Sequence, residues 1–373
     1  MGTPDKPADS LEATLRLALT PGVGPRTRKR LLEHFGSSEA VLQAAPSQLR
    51  DVPGIGPKLT RAIANESREI DVAAVLQTCR RAGIDILTDS DAAYPRLLRE
   101  IHDPPAVLFL RGKFQPRDAL AIAVVGTRHA TQYGLRQAER LAKGLAQAGL
   151  TVVSGMARGI DAAAHRGALA AGGRTVAVLA GGLLNVYPAE HKDLAEQIAQ
   201  AGLLVSESPP HSPPRAGAFP QRNRLITGLC LGVVVVEAGL RSGALISAEH
   251  AMEQGREVFA VPGRVDSRAS RGCHRLLREG ARLVECVEDV LEELGPLGEA
   301  APQEDGRVVR NAAELQLNAQ EQAVLEAIPT EPTPIDEVVA RSGLPVHRVL
   351  ATLSVLEMRH LVRRLSGSLV ARA

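Results

Sequence analysis

The spacing of apolar residues changes twice along the chain, and each change marks a domain boundary. After a loose tail of about ten residues, Leu11 to Leu19 carries apolar residues at helical spacing and runs into Pro21-Gly22-Val23-Gly24. A second helical stretch, RTRKRLLEHF, stops at Gly36, and a third reaches Pro53-Gly54-Ile55-Gly56 before KLTRAIAN. Helix, tight Gly-x-Gly turn, helix therefore occurs twice, which predicts a pair of helix-hairpin-helix units in an all-α (SAM-like) domain over residues 1–70. From Ile70 a helix, a turn-rich segment and the apolar run AVLFLRG lead into a different pattern.

From Ala121 short β-branched runs alternate with amphipathic stretches: AIAVVG, TVVSG, TVAVLAGG, LLVSE, LGVVVVEA and EVFAVPG, each separated by a helical segment. That alternation specifies a Rossmann-like, doubly wound and mainly parallel sheet over 71–294. Runs such as VVVVEA, apolar without a break, fit strands buried on both faces. Residues 295–316 have linker composition, rich in Pro, Gly and mixed charge. Over 317–373, three helical stretches and a hairpin turning at Ser366-Gly367 read as a winged helix.

Composition narrows the classes. At 373 residues, 45% hydrophobic and 23% charged, the chain can fill two or three cores and does not have a disordered composition. Arg far outnumbers Lys within a net charge of only +2, and the guanidinium fork suits phosphate. With no Trp, five Phe and three Tyr, stacking platforms are few, so a bound single strand would be held mostly through its phosphates. Cys79, Cys230, Cys273 and Cys286 lack metal-ligand spacing, so no metal site is expected and reduced thiols are the simplest account. No secretory start and no membrane-length apolar run is seen, which leads to the expectation of a cytoplasmic protein without membrane association.

In a doubly wound sheet ligands sit beyond the carboxyl ends of the strands. Gly-rich turns fall there: VVGTR brings Gly126, Thr127 and Arg128, and VVSGMARGID brings Ser154, Gly155 and Gly159. FPQRNRLITGL adds Phe219, Arg222, Asn223 and Arg224 at a helix start, and EAGLRSGALISAEHA opens another helix with Ser242 and Gly243. Glycines admit close approach of a phosphate, and helix amino termini with guanidinium groups attract it. Neither G-x-G-x-x-G nor G-x-x-x-x-G-K-[ST] occurs, so no cofactor is expected and nucleotide binding loses its usual support.

Taken in order, VVGTRHATQYG, VVSGMARGIDAAAH, AVLAGGLLNVYP, FPQRNRLI, VVVVEAGLRSGALISA and VFAVPG resemble the DprA (Smf) family of DNA-processing proteins. The likeness is close over Ile84 to Val284, and both flanking domains match the family's plan. It implies a protein that binds single-stranded DNA without sequence preference, forms a homodimer and loads RecA recombinase during natural transformation. It also implies a DNA pocket using Arg128, Ser154, Gly155, Phe219, Arg222, Asn223 and Arg224. Two positions depart from the family's pattern: His274 stands where Asn is usual, and Ser247 where Thr is usual.

The remaining features take bland readings. Asp161 and His165 lie four apart on one helix face and read as a helix cap and a structural imidazole, because no nucleophile or metal partner has suitable spacing. Cys273-His274 are adjacent and so do not face each other as nucleophile and base must. The chain is thus read as a non-enzyme without a small-molecule substrate. The alternatives are a nucleotide-phosphate hydrolase of the lysine-decarboxylase-like family, whose P-G-G-x-G-T-x-x-E motif is missing here, and a winged-helix regulator that reads duplex DNA. The two Gly-x-Gly hairpins, beside Arg26, Arg28, Lys29 and Lys58, suit either phosphate contact or helix turns.

Overall fold

The computed structural model describes residues 9–302, 308–329, 331–365 and 368–372. Its amino-terminal part is helical: α1 (Leu11–Leu19), α2 (Pro25–Phe35), α3 (Ser38–Gln43), α4 (Pro46–Arg50) and α5 (Pro57–Ala64). The repeat seen in the sequence is a repeat of geometry. Gly22 and Gly54 both take φ of 85°, a conformation that disfavours side chains, and Pro25 and Pro57 then open α2 and α5 at the position where a missing N–H costs nothing. Leu17, Leu31, Val41, Leu49 and Ile63 close a small core. Arg28 of α2 ties this domain to the next by an ion pair with Asp89 at 2.6 Å.

After α6 (Val72–Ala82), nine strands form one sheet among the described residues. They are β1 (Asp85–Thr88), β2 (Val107–Gly112), β3 (Ala121–Val125), β4 (Thr151–Ser154), β5 (Thr175–Val178), β6 (Leu203–Ser206), β7 (Gly232–Val235), β8 (Glu257–Ala260) and β9 (Arg282–Leu283). The order is β1-β2-β6-β5-β4-β3-β7-β8-β9, antiparallel across β1, β2 and β6 and parallel elsewhere. The six alternating runs are β3 to β8. The segment ILTD, read as turn-rich, supplies β1, which becomes a strand by pairing with β2.

The helices between strands include α7 (Arg96–Arg99), α8 (Gln132–Gln147), α9 (Ile160–Ala170), α10 (Lys192–Ala201), α11 (Ala218–Gly228), α12 (Gly243–Glu253), α13 (Arg271–Arg278) and α14 (Val287–Leu294). From β3 the chain steps through β4 and β5 to β6 in one direction, then returns beside β3 as β7 and steps the other way. Crossovers of one hand therefore place α8, α9 and α10 on one face and α11 and α12 on the other. The packing follows: Ile122 and Val124 of β3 join the α8–α9 core, while Ala121, Ala123 and Val125 join the α11–α12 core.

The stretch read as a linker differs from expectation. β10 (Pro296–Pro302) pairs with β11 (Val308–Asn311), and Val309 and Ala312 are buried in the α8–α9 core. Composition alone missed this because the apolar anchors are isolated in sequence. The carboxyl-terminal unit holds α15 (Ala319–Glu326), α16 (Ile335–Ser342) and α17 (Val346–Met358) with β12 (Thr333–Pro334), β13 (Val362–Leu365) and β14 (Leu369–Arg372), ordered β12-β14-β13. This is a winged helix; the expected turn at Ser366-Gly367 lies outside the described residues. No helix among the described residues is long and apolar enough to cross a membrane.

Candidate functional site

β3 and β7 lie side by side and parallel, yet the chain leaves their carboxyl ends toward opposite faces. The loops therefore diverge and leave a crevice at the switch point. A cavity of about 640 Å³ opens there, walled by Thr127, Arg128, Phe219, Asn223, Arg241 and Ser242 among others.

The glycines of these loops serve loop-to-loop packing. A Cβ on Gly126 would lie 2.4 Å from the Ile160 side chain, and one on Gly159, whose φ is 74°, would lie 2.3 Å from the Thr127 carbonyl. The Thr127 N–H donates to the Glu237 carbonyl at 2.7 Å, joining the β3 and β7 ends. The buried Glu237 carboxylate accepts from the Thr131 N–H at 2.9 Å and hydroxyl at 2.6 Å, fixing the start of α8. Close contact within the protein is thus by itself sufficient reason for Gly126 and Gly159.

Three expected contact residues are turned inward. Ser154 is fully buried, and its hydroxyl donates to the Val124 carbonyl at 2.6 Å. Arg222 is buried and donates to the carbonyls of Gly155 and Val178, bolting the ends of β4 and β5 to α11; burial lowers its pKa to about 10. Its guanidinium also explains Gly155, where a Cβ would come within 2.4 Å of it. Arg224, two residues further along the helix, points to the opposite side, donates to Glu207 and lies 3.5 Å from Asp103. Burial pushes the Glu207 carboxyl up against the opposing pull of Arg224. Alternation along α11 decides these directions, and the adjacent RNR of the sequence could not show it.

What remains toward solvent is a smaller set. The Arg128 guanidinium lies over the Phe219 ring at 4.7 Å and makes no hydrogen bond or ion pair among the described residues. Phe219 meets Tyr187 edge-on at 5.8 Å. Arg241 is exposed on the cavity wall. Ser242 caps α12 by accepting from the Ala244 N–H at 3.3 Å, and Gly243 has open space about it. Asn223 bridges to the Gly243 carbonyl at 3.3 Å. Arg241 and Tyr187 were absent from the sequence-derived set. Arg241 had a signal, as the cation just before a Ser-Gly helix start; Tyr187, on a different loop, had only its place in the block AVLAGGLLNVYP.

The titratable pairs are structural. Asp161 is buried and accepts from the Ala157 N–H at 3.2 Å inside its loop, rather than capping α9, whose cap is Gly159. Burial raises its pKa, with Arg222 opposing. The Thr175 hydroxyl donates to the Val152 carbonyl at 2.7 Å, so it must accept from His165 Nδ1–H, 2.7 Å away. His165 Nε2 is then a buried acceptor without a partner among the described residues, and desolvation holds the imidazole down at about 3. Cys273 faces the Val235 carbonyl and His274 the Gly263 carbonyl, and burial pushes the thiol up to about 12.

The family described as DNA recombination-mediator protein A matches residues 85–295. A DprA winged-helix family matches 309–368, and a SAM-like helix-hairpin-helix tandem matches 15–69. Protein Smf of Synechocystis is 35% identical over 93% of this chain and 94% of its own length. This chain belongs to the DprA (Smf) family. The X-ray structure of DprA from Streptococcus pneumoniae superposes with a TM-score of 0.67 at 36% identity, covering 77% of this chain and 99% of that one. A Helicobacter pylori DprA structure, whose description concerns its single-stranded DNA binding mode, covers 57% of this chain and 95% of that one with TM-score 0.51 at 32% identity.

Against the family pattern, the two departures fall in different places. Ser247 is buried on α12 at the cavity wall, so the methyl that Thr would add there is missing beside the site. His274 lies on α13 with its ring on the Gly263 carbonyl at 3.0 Å, where it holds the loop after β8.

Proposed function

We propose that this DprA-family protein binds single-stranded DNA along the carboxyl edge of its sheet. One observation carries the reading: Arg128 stands on an aromatic face at the mouth of the switch-point cavity, without a carboxylate partner among the described residues. A guanidinium placed so has its donors available for phosphate, while the Phe219 and Tyr187 rings offer apolar faces to bases. Arg241, on the facing loop, supplies a second cation, and the backbone around Gly243 is sterically open. The contact set proposed is therefore Arg128, Phe219, Tyr187, Asn223, Arg241, Ser242 and Gly243, with Arg222, Ser154 and the loop glycines shaping it from behind.

Phosphate contacts release counterions, so affinity should fall steeply with salt and vary little with sequence. The resemblance further supports a homodimer that passes the strand to RecA. Titrating a labelled oligothymidine and a duplex of equal length into the full chain at two salt concentrations tests the proposal. Preference for the single strand with a strong salt slope is expected. Equal affinity for the duplex, or no salt dependence, overturns it. Light scattering of the full chain and a strand-exchange assay with RecA test the dimer and the hand-over.

A further inference from the structure

At the other end of the sheet, the amino ends of β3, β4 and β5 border a second cavity of about 410 Å³. Ala121, Val153 and Val176 form its floor, and Phe114, Leu229 and Leu231 are among its walls. The void follows from topology. The crossovers leading to β4, β5 and β6 all lie on the opposite face, so this face of those strands is left to α11 and the four-residue α7. A single turn of helix cannot cover the breadth of three strands.

The walls are held apart, so the gap cannot close by collapse. On one flank Arg256 donates to the Leu97 carbonyl at 2.9 Å and the Tyr94 hydroxyl to the Pro105 carbonyl at 2.8 Å, fixing the segment 93–97. On the other, Asp118 accepts from Arg174 at 2.6 and 2.9 Å, from the Thr151 hydroxyl at 2.9 Å and from the Gln115 N–H at 2.8 Å. These bonds also settle the chemistry of an occupant. The Asp118 carboxylate is saturated from within, and Arg96 at the rim pairs with Glu100 at 3.6 Å. A charged guest would leave water without a partner to replace it, whereas an apolar one displaces water from hydrocarbon.

We infer that this preformed cavity is a binding site for a neutral, mostly apolar small molecule, separate from the DNA edge. Its size falls in the range of sites that enclose such ligands, roughly 300–1,000 Å³. Because it lies at the amino ends of the strands and the DNA edge at their carboxyl ends, the two can be occupied together.

Nile red, a neutral fused-ring dye, serves as the probe with the full chain. Saturable, blue-shifted emission is expected. Two substitutions fill the void from different sides, Ala121→Leu from the floor and Ala119→Trp from the exposed flank. Each should weaken dye affinity at least tenfold, while Ala201→Trp, on the surface of α10, leaves it unchanged. Ala119→Trp touches no core position, so it remains informative should Ala121→Leu fail to fold. Emission that never saturates, or an affinity that survives Ala119→Trp in a folded protein, overturns the inference.

Discussion

The start of α11 and the loops after β3 and β7 both bring arginines to the carboxyl edge of the sheet, and they use them differently. Arg222 and Arg224 are buried and hydrogen-bond to carbonyls and carboxylates of the protein itself, although Arg224 Nη1 finds no hydrogen-bond partner among the described residues. Arg128 and Arg241 stand on short loops where no carboxylate meets them among the described residues, and water or a ligand must satisfy them. Burial divides the labour. A guanidinium taken out of water is stable only when its hydrogen bonds are answered, so it becomes a bolt, while one left in water stays available to a phosphate.

The difference can be broken most severely at Arg222. Arg222→Met leaves the Gly155 and Val178 carbonyls without their donor inside the fold, which should cost about 3–5 kcal/mol in urea unfolding. A loss within 1 kcal/mol would show that Arg222 is not the bolt. Arg224→Ala leaves the half-buried Glu207 beside Asp103 without a cation and should cost about 2–3 kcal/mol, with oligothymidine affinity of the folded protein within twofold of the parent. Weakened DNA binding at unchanged stability would return Arg224 to the contact set.

The same buried region should announce itself in pH dependence. His165 has a folded-state pKa depressed to about 3 against about 6.5 unfolded, so between these values the unfolded chain holds the extra proton. Its contribution is present above pH 6.5 and is lost as pH falls toward 3. Between pH 7 and pH 4.5 it should account for about 2–3 kcal/mol, and His165→Gln should flatten that part of the stability profile. An unaltered profile would mean that the imidazole accepts its proton within the fold.

On the solvent side the effects are smaller and fall on binding alone. Phe219→Ala should cost about 1–3 kcal/mol of oligothymidine affinity, the range for one stacked base. Arg128→Ala should leave stability untouched and reduce the logarithmic salt slope by about 0.7, one phosphate contact. A change in unfolding midpoint with an intact slope would place Arg128 among the bolts.

The strands β3 to β8 were legible because their β-branched runs are buried on both faces and need no polar alternation. The paired Gly-x-Gly hairpins were legible because a positive φ demands glycine. β1, β9 and the β10–β11 pair were not: each is short or mixed in composition and becomes a strand only by pairing with a partner. At the site, the sequence located the loops but not the packing of their residues against one another. Gly126, Gly155 and Gly159 yield room to Ile160, Arg222 and Thr127, contacts between segments remote in the chain.

By itself, then, the order of residues settled what is local and periodic: three domains, a doubly wound sheet, and the strand ends where glycine and arginine gather. The tertiary structure alone decided which guanidinium meets solvent and which meets a carbonyl. Period and composition act over a few residues, whereas desolvation depends on everything packed around a side chain.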